Sequence, residues 1–147
     1  MADLTLSPEQ LQQIGTHLTA CLPEEACGMV GGADRRAGLV LPVENALHSP
    51  VRFQMEPMAQ FKAMIQIETA GMELLAIFHS HPNGPVHPSP TDVAEFLYPG
   101  TLVLIASPLF DDHLSNLEDA LTTGNWQIRG FQINQGAILA VKLECSD

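Results

Sequence analysis

Basic residues are scarce in this sequence. Lysine and arginine together number 6 against 17 aspartates and glutamates, which gives the 147 residues a formal net charge of −11 at pH 7. Such a surface repels the phosphate backbones of nucleic acids, so the composition disfavours a nucleic-acid partner. The same electrostatics favour a basic protein partner.

Cysteine is also sparse. The three residues Cys21, Cys27 and Cys145 are odd in number and form no C-x-x-C pair. We therefore expect reduced thiols, and neither a disulfide framework nor a cysteine-rich zinc site. Any metal that this chain binds must use histidine and carboxylate ligands.

Long apolar runs are missing as well. No run approaches the roughly 18 residues that a membrane-spanning helix needs. The first residues, MADLTLSPEQLQQI, lack the basic segment and the continuous apolar core of a secretory signal. We expect a cytoplasmic protein that binds no membrane, and its 147 residues with 46% apolar content suit a single domain over residues 1–147.

Helical and strand patterns alternate along the chain. Ser7, Pro8 and Gln10 have the start signal of an amphipathic helix. The segment from Pro57 to Ala70 has a second helical spacing, formed by Met58, Phe61, Met64, Ile65 and Glu68. Strands are predicted at ACGMVGG, LVLPVEN, ELLAIF and TLVLIAS, a final hairpin at NWQIRGFQI and GAILAVKLE, and a short helix at PTDVAEFLYPG, ending at Pro99–Gly100. The pattern predicts an α/β or α+β fold, a sheet flanked by helices.

The segment FHSHPNGPVHPSPTDV, residues 78–93, contains three of the six histidines. His79 and His81 lie at the end of a predicted strand, where residues two apart project from the same face. Two imidazoles so placed can both reach one zinc ion at about 2.0–2.1 Å. An isolated H-x-H is more often a coincidence than a metal site, so the pair needs further ligands to indicate one.

A helix start follows within the same segment. Ser89, Pro90 and Asp92 supply an N-cap serine, a proline at N1 and an acid at N3, and taken alone they indicate only a cap. Together with the two histidines, however, Asp92 completes a set of three nitrogen and oxygen ligands. That set leaves the fourth tetrahedral position open for water, as in catalytic zinc sites. Such a water needs a base, and spacing alone does not choose among Glu24, Glu25, Glu44, Glu73 and Glu95.

Two motifs indicate a known family. HSHPNGPVHPSPTD matches the H-[ST]-H-P-x6-S-x-x-D signature of the JAMM (MPN-domain) zinc metalloproteases, and PEEACG resembles the P-x-E-x-C-G segment of their short prokaryotic members. The resemblance covers nearly the whole chain. It implies a cytidine-deaminase-like fold, a mixed sheet between helices, with one zinc ion held by His79, His81 and Asp92.

The resemblance also implies roles for individual residues. Glu25 would orient and deprotonate the zinc-bound water and later protonate the leaving amine, which is general acid–base work. Ser89 would donate a hydrogen bond to the oxyanion of the tetrahedral intermediate. Cys27 is interpreted as a small buried residue beside the site, Glu24 as solvated, and His87 as an exposed loop residue.

The implied function is zinc-dependent hydrolysis of an amide or isopeptide bond at the C-terminal tail of a ubiquitin-like or sulfur-carrier protein. The chain lacks the long insertions with which ubiquitin-chain-specific members grip their substrate. The alternative is a non-catalytic MPN scaffold, but such members typically lack one of the glutamate, histidine or aspartate positions, all present here. A zinc deaminase would need H-x-E and P-C-x-x-C, and neither occurs.

Overall fold

A mixed β-sheet forms the centre of the computed structural model, which describes residues 1–109 and 119–147. Its strands are β1 (Leu4–Leu6), β2 (Cys27–Ala33), β3 (Arg36–Val43), β4 (Glu73–Ser80), β5 (Leu102–Ser107), β6 (Leu121–Thr123), β7 (Trp126–Asn134), β8 (Ala137–Val141) and β9 (Leu143–Cys145). The helices are α1 (Pro8–Cys21), α2 (Pro57–Thr69) and α3 (Pro90–Glu95). The strands lie in the order β6-β7-β5-β4-β2-β3-β1-β9, with β8 paired to β7.

Strand direction within this sheet is mixed. β4 runs parallel to β5, and β1 runs parallel to both β3 and β9. The remaining pairs are antiparallel. The predicted fold class, a mixed sheet flanked by helices, is confirmed.

Each helix begins at a side-chain cap followed by proline. The Ser7 hydroxyl accepts a hydrogen bond from the Gln10 amide at 3.2 Å, and the Gln10 side chain accepts from the Ser7 amide at 2.8 Å. Ser89 and Asp92 form the same reciprocal pair at α3. The Glu56 carboxylate caps α2 by accepting from two amides of its first turn. Both helix starts predicted from serine and proline are therefore confirmed.

The sheet separates two apolar layers because successive strand residues point to opposite faces. Ile14 and Leu18 of α1 pack on one face, in a cluster that contains Phe78. Ile67 of α2 packs on the other face, in a cluster that contains Ile77. α3 also lies on this second face, where Val93 packs against a cluster from β5 and β7. Since Ile77 and His79 are two residues apart, His79 faces the side covered by α2 and α3.

Several elements differ in extent from the predicted ones. The short strands β1 and β6 were not predicted, because three residues are too few to show a period. The predicted final hairpin forms between β7 and β8, which pair antiparallel. The end of the segment GAILAVKLE, however, is a separate strand, β9, which pairs with β1. α3 ends at Glu95 because Phe96 is extended and packs against the β5–β7 cluster. None of the helices in the described part of the chain is long and apolar enough to span a membrane.

The buried face of α2 is not the one that its larger apolar residues mark. Ala63 and Ile67 are 6% and 1% exposed, whereas Phe61 is 61% exposed. Ile67 packs over Gly31 of β2, where an added Cβ would lie 2.9 Å from the Ile67 Cγ1 atom. The helix therefore lies close to the sheet where β2 has no side chain, and this contact selects the face.

Truncation of the two α2 side chains should have unequal effects. We expect Ile67→Ala to lower the free energy of unfolding by about 2–4 kcal/mol, because it leaves a cavity above Gly31. The control Phe61→Ala should change it by no more than about 0.5 kcal/mol. Urea unfolding with an unchanged m-value measures both. A larger loss from Phe61→Ala than from Ile67→Ala would contradict this orientation of α2.

Candidate metal centre

The ends of β2 and β4 bring Glu25 beside the two histidines. Cys27 pairs with His79 in the antiparallel ladder, and Glu25 precedes Cys27 by two residues, so its side chain leaves the chain on the same face. His81 follows His79 by two residues and also shares that face. Glu25, His79 and His81 are 4%, 2% and 7% exposed, so three titratable groups are buried together where β2 begins and β4 ends.

Asp92 reaches these histidines from the first turn of α3. Its Oδ2 atom lies 3.2 Å from the His79 Nε2 atom and 3.1 Å from the His81 Nε2 atom. The two Nε2 atoms lie 3.2 Å apart. The same Oδ2 accepts a hydrogen bond from the Ser89 amide at 2.8 Å. Three donor atoms therefore converge on one point, and the helix cap holds one of them in place.

The spacing of these atoms fits a zinc ion. Ligand atoms about 2.0–2.1 Å from a tetrahedral zinc lie roughly 3.3 Å from one another, close to the separations of 3.1–3.2 Å found here. Glu25, His79 and His81 also offer ligand atoms that all lie within 4.8 Å of one another, a group that could hold a metal ion. Imidazole and carboxylate are ligands that suit zinc.

Different contacts orient the two imidazole rings. His81 has its Nδ1 atom 2.8 Å from the Pro85 carbonyl oxygen, and in the neutral ring a proton donated there leaves the Nε2 lone pair for a ligand. The ring of His79 stacks on Phe53, with ring centroids 4.4 Å apart and planes at 26°. The Nδ1 atom of His79 is buried and finds no hydrogen-bond partner among the described residues. Stacking, rather than a second hydrogen bond, thus fixes the His79 ring.

Burial and mutual contact perturb all four titratable groups. Burial raises the pKa of Glu25 to about 7, with His81 lowering it and Asp92 raising it further. Burial alone would raise the pKa of Asp92, but hydrogen bonds to His79 and His81 bring it well below its ordinary value. Burial lowers the pKa of His79. Burial also acts to lower the pKa of His81, but its bonds to Asp92 and Pro85 raise it in net.

At neutral pH the site therefore contains an ionised Asp92 and a Glu25 near the midpoint of its titration. The Glu25 Oε1 atom is buried and has no hydrogen-bond partner within residues 1–109 and 119–147. Unpaired buried carboxylate oxygens are costly unless a ligand or water satisfies them. A carboxyl group that changes charge near pH 7 is suited to accept and return a proton.

The backbone of Glu25 is held by the loop that follows β3. Its amide donates to the Ser49 carbonyl at 2.8 Å, and its carbonyl accepts from the Asn45 side chain at 3.0 Å. The Asn45 side chain also donates to the Arg52 carbonyl at 3.0 Å. Asn45 thereby connects Glu25 to the loop that carries Phe53.

A cavity of about 710 Å³ lies beside His79 and Asp92. Most of its lining side chains are apolar and come from the loop before α2 and the segment after α3, among them Phe53, Met55, Phe96, Leu97 and Tyr98. Arg52 and Glu95, also in the lining, form an ion pair that joins the loop to α3. The cavity is therefore a mainly apolar space directly beside His79 and Asp92.

The structure brings together all five residues that the motifs single out: Glu25, His79, His81, Ser89 and Asp92. Three further residues discussed in the sequence analysis, Glu24, Cys27 and His87, lie outside this group. His87 is exposed and its ring contacts Phe131, and burial raises the pKa of Cys27 to about 12. Glu24 bonds to His48 at 2.9 Å on the surface.

Sequence reasoning missed Phe53 and Asn45, which lie in a loop without periodicity. It also gave no role to Ser80, although the motif restricts that position to serine or threonine. This restriction to a hydroxyl residue was the signal available for Ser80.

Comparisons with known proteins show which family and which relatives this chain resembles. A family model described as prokaryotic homologs of the JAB domain matches residues 7–120. A "Probable TtuB-protein conjugate cleaving protease" of Thermus thermophilus is 40% identical over 86 residues, covering 58% of this chain and 57% of that protein. A "Desampylase" of Pyrococcus furiosus is 39% identical over 69 residues, covering 47% and 49%. The chain thus spans about half the length of these curated relatives.

A solved structure extends the similarity over the whole chain. The solution structure of protein DSY2949 from Desulfitobacterium hafniense has a TM-score of 0.79 to this chain at 28% identity. The match covers 98% of this chain and 93% of that one. The fold is therefore shared over nearly the whole of both chains.

The raised pKa of Glu25 predicts a pH-dependent stability in metal-free protein. The folded state keeps the proton up to about pH 7, whereas the ordinary pKa is 4.5, so the free energy of unfolding falls as pH rises between these values. Relative to Glu25→Gln, the wild type should lose roughly 3 kcal/mol across this window. Urea unfolding of both proteins with chelator at pH 4 and pH 8 measures the difference. Parallel pH profiles would contradict a perturbed Glu25.

Proposed function

The chain belongs to the prokaryotic homologues of the JAB domain, and we propose on that basis that it is a zinc-dependent hydrolase of amide bonds. The observation that carries this proposal is the convergence of the His79, His81 and Asp92 atoms at separations of 3.1–3.2 Å. The buried carboxylate of Glu25 lies beside the two histidines. A metal-ligand set next to a proton-transfer group is the arrangement that metal-assisted hydrolysis needs.

His79, His81 and Asp92 are the residues that would hold the zinc ion. When bound, zinc supplies Lewis acidity to the substrate carbonyl and lowers the pKa of a water molecule. The low pKa of Asp92 keeps its oxygen charged and ready to act as a ligand. The His81 contact with the Pro85 carbonyl keeps the proton on the far nitrogen.

Glu25 is proposed as the general base and then the general acid. Its pKa of about 7 allows it to take a proton from the attacking water and to pass that proton to the leaving amine. Hydrogen bonds from both sides of its backbone limit its movement. Its Oε1 atom, which has no hydrogen-bond partner in the described part of the chain, can contact the water.

Ser89 is proposed to stabilise the charge that develops on the substrate carbonyl oxygen. Its oxygen accepts a hydrogen bond from the Asp92 amide at 3.0 Å. That bond does not use the hydroxyl hydrogen, which can be donated to the substrate. The helix cap and the proposed catalytic role are therefore compatible in one side chain.

The proposed substrate is the C-terminal tail of a ubiquitin-like or sulfur-carrier protein. Two relatives bear the names TtuB-protein conjugate cleaving protease and desampylase. The cavity beside His79 and Asp92 has the size and apolar lining for an extended peptide segment. The net charge of −11 favours a partner with a basic surface and disfavours a nucleic-acid partner.

Catalysis is better supported than the alternative of a non-catalytic scaffold. A scaffold has no need for a buried glutamate with a pKa of about 7 beside two histidines and an aspartate.

We also propose that residues 1–147 act as one domain, since β1 near the start of the sequence pairs with β9 near its end. A cytoplasmic location, supported by free thiols at Cys21, Cys27 and Cys145, completes the proposal.

Asp92 offers a test that separates metal binding from helix capping. Asp92→Asn keeps an oxygen for the Ser89 amide but is a weak ligand, so we expect loss of zinc with the fold retained. Asp92→Ala should also lose zinc and weaken the start of α3 by about 0.5–1 kcal/mol. Metal analysis after dialysis and circular dichroism measure the two effects. Full zinc content in both variants would leave Asp92 with a capping role only.

Glu25→Gln tests the proton-transfer role. We expect zinc content to be unchanged and turnover to fall about 10²- to 10⁴-fold, because the amide cannot accept the proton. The substrate is a sulfur-carrier protein fused through its C-terminal glycine to a reporter, with product masses read by mass spectrometry. The neighbouring control Glu24→Gln should keep wild-type turnover. The reverse pattern would move the base to position 24 and contradict the proposal.

A further inference from the structure

Ser80, the residue between the two histidines, hydrogen-bonds the segment that carries Glu25. Its side chain leaves β4 on the face opposite to His79 and His81 and is completely buried. The Ser80 hydroxyl accepts from the Ala26 amide at 2.8 Å. The Ser80 amide donates to the Ala26 carbonyl at 3.0 Å. Ser80 therefore satisfies both backbone polar groups of the residue that follows Glu25.

The hydroxyl takes the place of a backbone acceptor at the end of the β2–β4 ladder. The ladder ends at the pair Cys27 and His79, and Ala26 would next face Ser80. There the Ala26 amide bonds to the side-chain oxygen of Ser80. On its other side Ser80 still pairs with Ala106 of β5, whose carbonyl accepts from the His81 amide at 2.8 Å. Pairing with β5 thus fixes the position of Ser80, and the hydrogen bond to the Ser80 hydroxyl fixes the position of the Ala26 amide.

Apart from the loop after β3, which holds Glu25 and also carries Phe53, the histidines and Glu25 are held by different parts of the chain. β5, the Pro85 carbonyl and Phe53 hold the histidines. The loop after β3 holds the backbone of Glu25 through Ser49 and Asn45. The two hydrogen bonds between Ser80 and Ala26 connect the segment that carries the histidines directly to the segment that carries Glu25. A substitution of Ser80 can remove the hydroxyl bond and leave the backbone bond in place.

We infer that Ser80 is a positioning residue whose hydroxyl sets the place of the Glu25 carboxylate relative to the His79–His81 pair. It acts through Ala26 and contacts neither the substrate nor the metal ligand atoms, since its side chain lies on the other face of the sheet. The catalytic consequence rests on the proposed function. The placement of Glu25 rests on the hydrogen bonds alone, so it can be tested without a substrate.

Three variants isolate this bond. Ser80→Ala removes the acceptor of the Ala26 amide, which is buried at 1% exposure of its residue. Ser80→Thr keeps the hydroxyl. Ser107→Ala is the matched control: Ser107 is also fully buried at the end of a neighbouring strand. Its hydroxyl contacts the Gly84 carbonyl at 2.7 Å and the Leu109 amide at 3.0 Å, and no bond joins it to Ala26.

The substrate-free measurement uses nuclear magnetic resonance of metal-free protein. In Ser80→Ala we expect faster hydrogen exchange of the Ala26 amide, by about tenfold or more, and a shifted carboxyl-carbon resonance of Glu25 at fixed pH. Both should be as in wild type in Ser80→Thr and in Ser107→Ala. An unchanged Glu25 resonance in Ser80→Ala would overturn the inference, whether or not the amide exchanges faster.

The kinetic measurement uses the zinc-loaded protein and the reporter fusion. We expect Ser80→Ala to lower kcat about ten- to a hundredfold with KM and zinc content nearly unchanged, because the proton acceptor is misplaced while the ligands are not. Ser80→Thr should restore kcat, and Ser107→Ala should lose stability without this loss of kcat. Equal kcat losses in Ser80→Ala and Ser107→Ala would overturn the inference. A wild type without turnover but with the expected resonance shifts would contradict the proposed function alone.

Discussion

The register of β2 against β4 is the constraint on which the site depends. Because side chains alternate between faces, a slip of one residue would turn His79 and His81 towards α1 and separate them from Glu25. Close packing fixes the register at Gly28, where an added Cβ would lie 2.3 Å from the Phe78 ring. Phe78 therefore occupies the space above a strand position without a side chain, and the residue after it is presented to the opposite face. The packing of Phe78 over Gly28 therefore determines where His79 is placed.

The same register also lowers the stability of the fold locally, because it buries Glu25, His79 and His81 where β2 begins and β4 ends. Buried polar groups destabilise a fold unless they find partners. Here the histidines and Asp92 partly satisfy one another, and their mutual contacts lower the pKa of Asp92. Two buried atoms, Glu25 Oε1 and His79 Nδ1, stay unsatisfied within the described residues. The apolar layers on both faces of the sheet supply the stability that tolerates this local cost.

Local signals in the sequence predicted a large part of this arrangement. The caps at Ser7 and Ser89 depend on residues within one turn, and both formed as expected. The histidine pair at a strand end also depends on local geometry alone. Phe53 could not be predicted, because its stacking on His79 depends on how a loop without periodicity returns to the sheet. The buried face of α2 could not be predicted for the same reason. Gly31, which is distant in sequence, leaves the space into which Ile67 packs, and this contact decides which face of α2 is buried.

The two sets of contacts that Asp92 makes, one with the helix cap and one with the histidines, explain how so short a helix reaches the site. α3 has six residues, and none of them is fully buried, so core packing contributes little to its stability. Its start is instead fixed by the reciprocal hydrogen bonds of Ser89 and Asp92. The Asp92 oxygen that accepts from the Ser89 amide is also the one that faces both histidines. In the proposed function a metal ion would bind at this oxygen, and an oxygen that the cap already holds in place loses less entropy on binding.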